Sequence, residues 1–201
     1  MDILPFEIPC VILSGGKSSR MGEDKSLLPF LHNNSIIEYQ YQRLKPYFKD
    51  IYISSKTNKF DFIDETTLIL DENKNIYSPI LALDTIFEKL NNQKIFIITV
   101  DTPFITIDSI KRIIDESIDV DICVAETEKI HNLCGVFSSN ISLTIKTMLK
   151  KDIHKIFYLI KNNLHKIIKF SNDDEFMNIN NKNEYEKSLS YINKNNNSYK
   201  F

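Results

Sequence analysis

The run Ile95-Phe96-Ile97-Ile98-Thr99-Val100, closed by Asp101, limits the fold more than any other part of this chain. A stretch so apolar, with no polar alternation, reads as a strand buried on both faces, the condition of a central strand in a parallel sheet. Thr102-Pro103 follows and stops it. Similar strand-like runs fall at residues 11–13, 51–54, 67–70, 122–125, 133–137 and 166–170, beside the run at 94–100. Between them lie segments with apolar residues at helical spacing: 36–47, 80–90, 109–117, 141–149 and 153–160, with Asp108 expected to cap the third. Strands alternating with helices predict an α/β fold with a mainly parallel central sheet flanked by helices.

In such a sheet ligands bind beyond the carboxyl ends of the strands. The residues that end or follow predicted strands there are Ser14-Gly15-Gly16, Ser54, Asp71 and Asp101. Adjacent glycines let the backbone turn sharply and approach a ligand with no Cβ between. Lys17, Arg20 and Lys25 follow the Gly-Gly turn within ten residues of it. A strand, a tight turn and clustered cations suit a polyphosphate, whose oxygens are cradled by amide N–H groups and neutralised by the cations. Two commoner phosphate loops are excluded by spacing. A P-loop needs a glycine five positions before its Gly-Lys pair, where this chain has Val11. The dinucleotide fingerprint needs Gly-x-Gly, and neither Lys17 nor Ser18 supplies the second glycine.

Asp101 is a carboxylate at the end of an apolar strand, a costly position unless it is paired or metal-bound. Beside a triphosphate it suits Mg²⁺, which takes one or two carboxylates together with phosphate oxygens and waters. Lys25, at the end of the loop, is a cation that can reach the phosphates. Arg20 either clamps phosphate or pairs with Asp24. The net charge of −2 gives no reason to expect nucleic acid or an anionic membrane as a partner. No apolar run is long enough for a membrane span. The N-terminus lacks the pattern of a signal peptide. Cys10, Cys123 and Cys134 have no metal-ligand spacing and each sits in an apolar run, as buried reduced thiols of a cytoplasmic protein would. At 201 residues the chain is expected to form one domain over 1–192, with a polar, flexible tail at 193–201.

The segment Leu13-Ser14-Gly15-Gly16-Lys17-Ser18-Ser19-Arg20-Met21-Gly22-Glu23-Asp24-Lys25 resembles the Leu-x-Gly-Gly-x-Ser-x-Arg-Met-Gly-x-Asp-Lys signature of nucleotidyltransferases, most closely the molybdenum cofactor guanylyltransferases (the MobA family). The resemblance continues in order along nearly the whole chain. Asp101-Thr102-Pro103-Phe104 is similar to the family's Asp-x-Pro-Phe metal motif. His131-Asn132-Leu133-Cys134-Gly135-Val136-Phe137 is similar to its His-Pro-Leu-x-Gly-Val-Tyr strand. Phe176-Met177-Asn178-Ile179-Asn180 is similar to its Phe-x-Asn-Ile-Asn.

The resemblance implies a Rossmann-like nucleotidyltransferase fold and transfer of GMP from GTP to molybdopterin, with Mg²⁺ on Asp101 and release of pyrophosphate. It implies Lys25, Asp101 and Arg20 as catalytic residues. It places Leu13, Ser14, Gly15, Gly16, Lys25, Ser54, Asp71 and Asp101 on the nucleotide. Asn178 and Asn180, which share a face if that segment is extended, fall on the acceptor. Molybdoenzyme apoproteins or delivery chaperones are further partners it suggests. Two departures bear on the base. The family's Gly-Pro-Leu-x-Gly is Ser78-Pro79-Ile80-Leu81-Ala82, and Ser54-Ser55 stands where the family often has Asn. A CTP-dependent molybdopterin transferase, a sugar-phosphate nucleotidyltransferase and a non-catalytic cofactor carrier are the alternatives.

Overall fold

The computed structural model describes residues 4–15, 24–71 and 76–194. Its seven strands form one sheet in the order β3-β2-β1-β4-β6-β5-β7. They are β1 (Cys10–Leu13), β2 (Ile51–Ser55), β3 (Leu68–Leu70), β4 (Lys94–Thr99), β5 (Ile122–Glu126), β6 (Ile130–Ser138) and β7 (His165–Lys169). Only β6 runs against the others, pairing antiparallel with β4 and β5, while the remaining pairs are parallel. The mainly parallel sheet expected from the sequence is therefore present.

The chain winds outward from β1 through β2 to β3, then returns to the other side of β1 with β4. That reversal makes the carboxyl ends of β1 and β4 a topological switch point, where an open α/β sheet leaves a crevice. Backbone pairing carries past the strand ends there, with Ser14 N–H donating to Ser54 O (2.8 Å) and Val100 N–H to Leu13 O (3.0 Å). The residues that leave these strands are thus held as firmly as the strands.

Helices cover both faces, following the period of the strands. α1 (Ile36–Leu44), α3 (Ile107–Asp115) and α6 (Lys182–Lys194) pack with Cys10, Ile12, Phe96, Ile98, Cys123 and Ala125. α2 (Pro79–Lys89), α4 (Ser142–Lys150) and α5 (Ile156–Lys161) pack with the alternate residues Val11, Leu13, Ile95, Ile97, Ile122 and Val124. β4 contributes side chains to both layers, as its unbroken apolar sequence requires.

Local differences from the sequence reading have identifiable causes. Thr106, not Asp108, caps α3, its hydroxyl accepting from Ser109 N–H at 3.1 Å; Asp108 lies in the first turn, where its charge favours the helix dipole. α5 begins at Ile156 rather than 153 because residues 151–154 are taken up in closing α4. α6 was not expected, and it runs into the segment read as tail; residues 195–201 lie outside the described residues. β6 begins earlier than expected, at Ile130, pairing with Glu126 across a register shift at Val124/Ala125. Within β6, a Cβ on Gly135 would stand 2.1 Å from Cys123 O, so only glycine lets the backbones of β5 and β6 meet there.

Candidate nucleotide site

A cleft of about 440 Å³ opens over the switch point. The loop after β1 brings Ser14 and Gly15 to it, β2 brings Ser54, the end of β3 brings Asp71, and the turn after β4 brings Asp101. Lys25 reaches it from a 3₁₀ turn at Lys25–Leu27, and Asn180 from the segment before α6. Leu13 completes the set expected on the nucleotide. Gly16 and Arg20, like Lys17, lie outside the described residues. Asn180 lines the cleft and Asn178 does not; both are partly exposed, with buried Ile179 between them.

One end of the cleft is built around an ion pair. Lys25 Nζ lies 2.8 Å from Asp101 Oδ2, both side chains about one-fifth exposed (19% and 20%). The same ammonium approaches Ile179 O and Asn180 Oδ1, each at 3.3 Å. Ile179 N–H in turn donates to Asp101 O at 2.8 Å, so the C-terminal segment is tied to the end of β4. The Thr99 hydroxyl donates to Asp101 Oδ1 and fixes the carboxylate from the other side. Asp24, next to Lys25, pairs with Lys59 and accepts from Ser26 N–H (3.1 Å) and Ser26 Oγ (2.7 Å). Burial alone would raise the Asp24 carboxyl, but the hydrogen bonds from Lys59 and Ser26 together outweigh it and hold the group below the usual carboxylate range.

The other end is made of hydroxyls and one buried carboxylate. Ser54 Oγ donates to Asp71 Oδ1 at 3.4 Å, and Asp71 N–H donates to Ser55 O at 2.9 Å. Burial raises the Asp71 carboxyl above its ordinary value, against the pull of Lys56, Ser54 and Lys89. Gly15 faces this carboxylate: a Cβ there would sit 4.0 Å from Asp71 Oδ2. Ser78 caps α2 from the cleft wall, with Pro79 at the first helical position. Lys56 stacks its ammonium 4.4 Å from the centre of the Tyr77 ring at the rim.

Sequence reasoning missed Thr99, Lys59, Lys56 and Tyr77. Thr99 stands two positions before Asp101, but a threonine in a strand carries no mark of its role, and Lys59 lies in a polar stretch with no pattern. From the His131–Phe137 segment only Leu133 reaches the cleft. His131 is buried, stacks on Phe176 (4.7 Å between centroids) and bonds Thr127 Oγ1 at 2.8 Å; burial lowers its ring below the ordinary histidine value. The three cysteines are buried and unpaired with one another, and burial pushes all three thiols up, Cys123 to about 11.

The donor chemistry at Asp101 fits a hard divalent cation shared with phosphate oxygens, since its carboxylate oxygens are fixed, partly open to the cleft and retain lone pairs. Among the described residues there is no cluster of three or more His, Cys, Asp or Glu side chains to hold a metal alone. No helix among them is long and apolar enough to cross a membrane.

A switch-point cleft with cation and carboxylate at one end and a polar pocket at the other defines a nucleotidyltransferase of the α/β class. Residues 10–166 match the MobA-like NTP transferase domain, and the chain belongs to that family. The molybdenum cofactor guanylyltransferase of Campylobacter jejuni subsp. doylei is 36% identical over 190 residues, covering 92% of this chain and 97% of that protein. The molybdenum cofactor guanylyltransferase of Helicobacter pylori strain 26695 is 31% identical over 193 residues, covering 93% of this chain and 94% of its own length. In fold, the chain is similar to the molybdopterin-guanine dinucleotide biosynthesis protein A of Archaeoglobus fulgidus, with a TM-score of 0.76 and 15% identity over 93% of this chain and all of that one (100%).

Proposed function

We propose that this chain is a molybdenum cofactor guanylyltransferase, transferring GMP from GTP to molybdopterin and releasing pyrophosphate. The observation that carries the reading is the Lys25–Asp101 pair at the switch point, inside a chain of this family. The phosphates lie at that end of the cleft and the nucleoside at the Ser54–Asp71–Ser78 end. The acceptor, a phosphate monoester, attacks the α-phosphorus in line and pyrophosphate departs. Because that acceptor is already an anion, no strong general base is required. The residues act by position and charge: Lys25 follows the negative charge onto the leaving oxygen, the Ser14–Gly15 backbone approaches the phosphates, and Asn180 holds Lys25 in reach. Asp101 would hold Mg²⁺, which when bound neutralises the phosphate oxygens. Asn180 faces the acceptor side; Arg20 and Gly16 keep the phosphate roles that the family resemblance gives them. The one seven-stranded sheet supports a single domain, and the buried thiols support a cytoplasmic one.

The departures at Ser54, Ser78 and Ala82 favour one second reading, the same chemistry with CTP. Pyrophosphate release with molybdopterin and Mg²⁺, compared for GTP, CTP, ATP and UTP, separates them. Release with GTP is expected; release with CTP instead would overturn the base, and release with none would overturn the enzyme.

A further inference from the structure

Ser78 is connected to residues far outside the cleft. Its Oγ lies 2.7 Å from Nδ1 of His154, 76 positions later in the chain. The opposite ring nitrogen, Nε2, lies 2.8 Å from Asp152 Oδ1. Neither His154 nor Asp152 lines the cleft. Asp152 has φ 55°, in the left-handed region. It closes α4, with Asp152 N–H donating to Leu149 O (3.1 Å) and Ile153 N–H to Met148 O (2.9 Å). Glycine is the favoured residue at such a helix end. An aspartate holds the position here, and its carboxylate is on His154.

The protons can be followed along this chain of groups. An ionised carboxylate only accepts, so Nε2 of His154 carries the hydrogen; in the neutral ring Nδ1 is then an acceptor, and the Ser78 O–H donates to it. What remains on Ser78 is lone pairs. One meets the Leu81 N–H at 3.4 Å, a long capping bond, and the other is left for the cleft. Ser54 is arranged in the same sense, its hydrogen directed to Asp71. The nucleoside end therefore presents acceptors, Ser78 Oγ and the Asp71 carboxylate.

We propose that Asp152 and His154 are positioning residues that hold Ser78 as a hydrogen-bond acceptor, and that Ser78 thereby selects for a base edge with adjacent N–H donors. This rests on the guanylyltransferase reading above. Guanine alone among the four bases sets two donors side by side, its ring N1–H and its exocyclic amino group. Cytosine and adenine each place a ring acceptor next to the amino group, and uracil offers a single N–H. A serine free to turn its hydrogen into the cleft would serve cytosine N3 as readily as guanine. The His154 ring removes that freedom.

The test is the ratio of dissociation constants for CTP and GTP. Wild type prefers GTP. Ser78→Ala is expected to cut the ratio about three- to tenfold, the effect of one neutral hydrogen bond. Ser78→Gly keeps an acceptable helix cap and gives the same loss, which separates readout from folding. His154→Ala also cuts the ratio, His154→Asn restores most of it because the amide oxygen can take the Nδ1 role, and Ser78→Ala/His154→Ala is no worse than Ser78→Ala. Asp152→Gly relieves the left-handed backbone, so it raises the unfolding midpoint while lowering the ratio by a smaller factor. A purely structural role predicts the first change without the second. An unchanged ratio in both Ser78 variants, or additive losses in the double variant, would overturn the inference while leaving the transferase reading intact. A wild type that prefers another triphosphate would overturn the base assignment, and the inference with it.

Discussion

The two ends of the cleft are built from different materials. At the end proposed for the phosphates one ammonium, Lys25, ties its own segment to two others: Asp101 after β4, and Ile179 and Asn180 before α6. Its partners are 76 to 155 positions away in sequence, and charge dominates every contact. At the end proposed for the nucleoside the contacts are hydroxyl to carboxylate and hydroxyl to imidazole, supplied by β2, the end of β3 and the cap of α2. The contrast follows from the ligand. A triphosphate is the same in every nucleotide and needs charge fixed in place; a base differs from its competitors by the direction of a few hydrogens. Rate should therefore reside at the first end and selectivity at the second.

Removing Asp101 or Lys25 is the largest break in that division. Asp101→Ala or Lys25→Ala should lower kcat by about 10²–10³ or more, the scale seen when one preorganised electrostatic group is lost, with an unchanged far-ultraviolet circular dichroism spectrum. Loss confined to KM would place these residues in ground-state binding instead.

Next comes Thr99, which lines the cleft and whose hydroxyl orients Asp101. Thr99→Val keeps the strand shape and should lower kcat about tenfold, the effect of about 1.4 kcal/mol in the transition state. Activity at higher Mg²⁺ should recover in part, because a loosened carboxylate holds the ion less well. A Mg²⁺ titration of the variant checks this.

Asp71 tests the other end. Its carboxyl is raised by burial, so the folded protein binds a proton there that the unfolded chain has already lost. Stability from this group is greatest below the ordinary aspartate value and falls as pH rises through the raised one. Asp71→Asn removes that cost. It should raise the unfolding midpoint at neutral pH, flatten its fall above the ordinary aspartate value, and weaken GTP binding about tenfold, as loss of a charged hydrogen-bond partner does. Thermal melts against pH and a GTP titration read both effects. Tighter GTP binding in the variant would contradict the assignment of this end to the base.

The smallest effect is at Lys59. Lys59→Met leaves Asp24 without its ion pair at a partly exposed site and should cost about 0.5–1 kcal/mol, measured by urea unfolding. The stabilising contribution of Asp24 is complete above the ordinary aspartate value and is lost as pH falls through its lowered one, so the variant and wild type should converge in acid.

What the sequence made legible follows the same division. β1, β2 and β4 were found nearly to the residue because strands buried on both faces leave unbroken apolar runs. Lys25 and Asp101 stood out because a cation after a Gly-Gly turn and a carboxylate after an apolar strand are chemically expensive. Ser54 and Asp71 were legible only from their places after predicted strands, whereas Ser78 looks like an ordinary helix cap and only the fold brings it to them. Thr99 and His154 act through a second side chain, which no local pattern records. α6 had a signal in Tyr185 and Leu189, four apart and both packed on the core, but it lay in a stretch so rich in Asn and Lys that the period was hidden.

The central claim is tested most directly by following label in a single turnover. Purified protein, Mg²⁺ and molybdopterin are mixed with GTP carrying phosphorus-32 at either the α or the γ position. The account predicts that α label appears in a molybdopterin–guanine dinucleotide while γ label leaves as pyrophosphate. Label from the γ position on the pterin, or no transfer by a folded protein that binds both substrates, would contradict it.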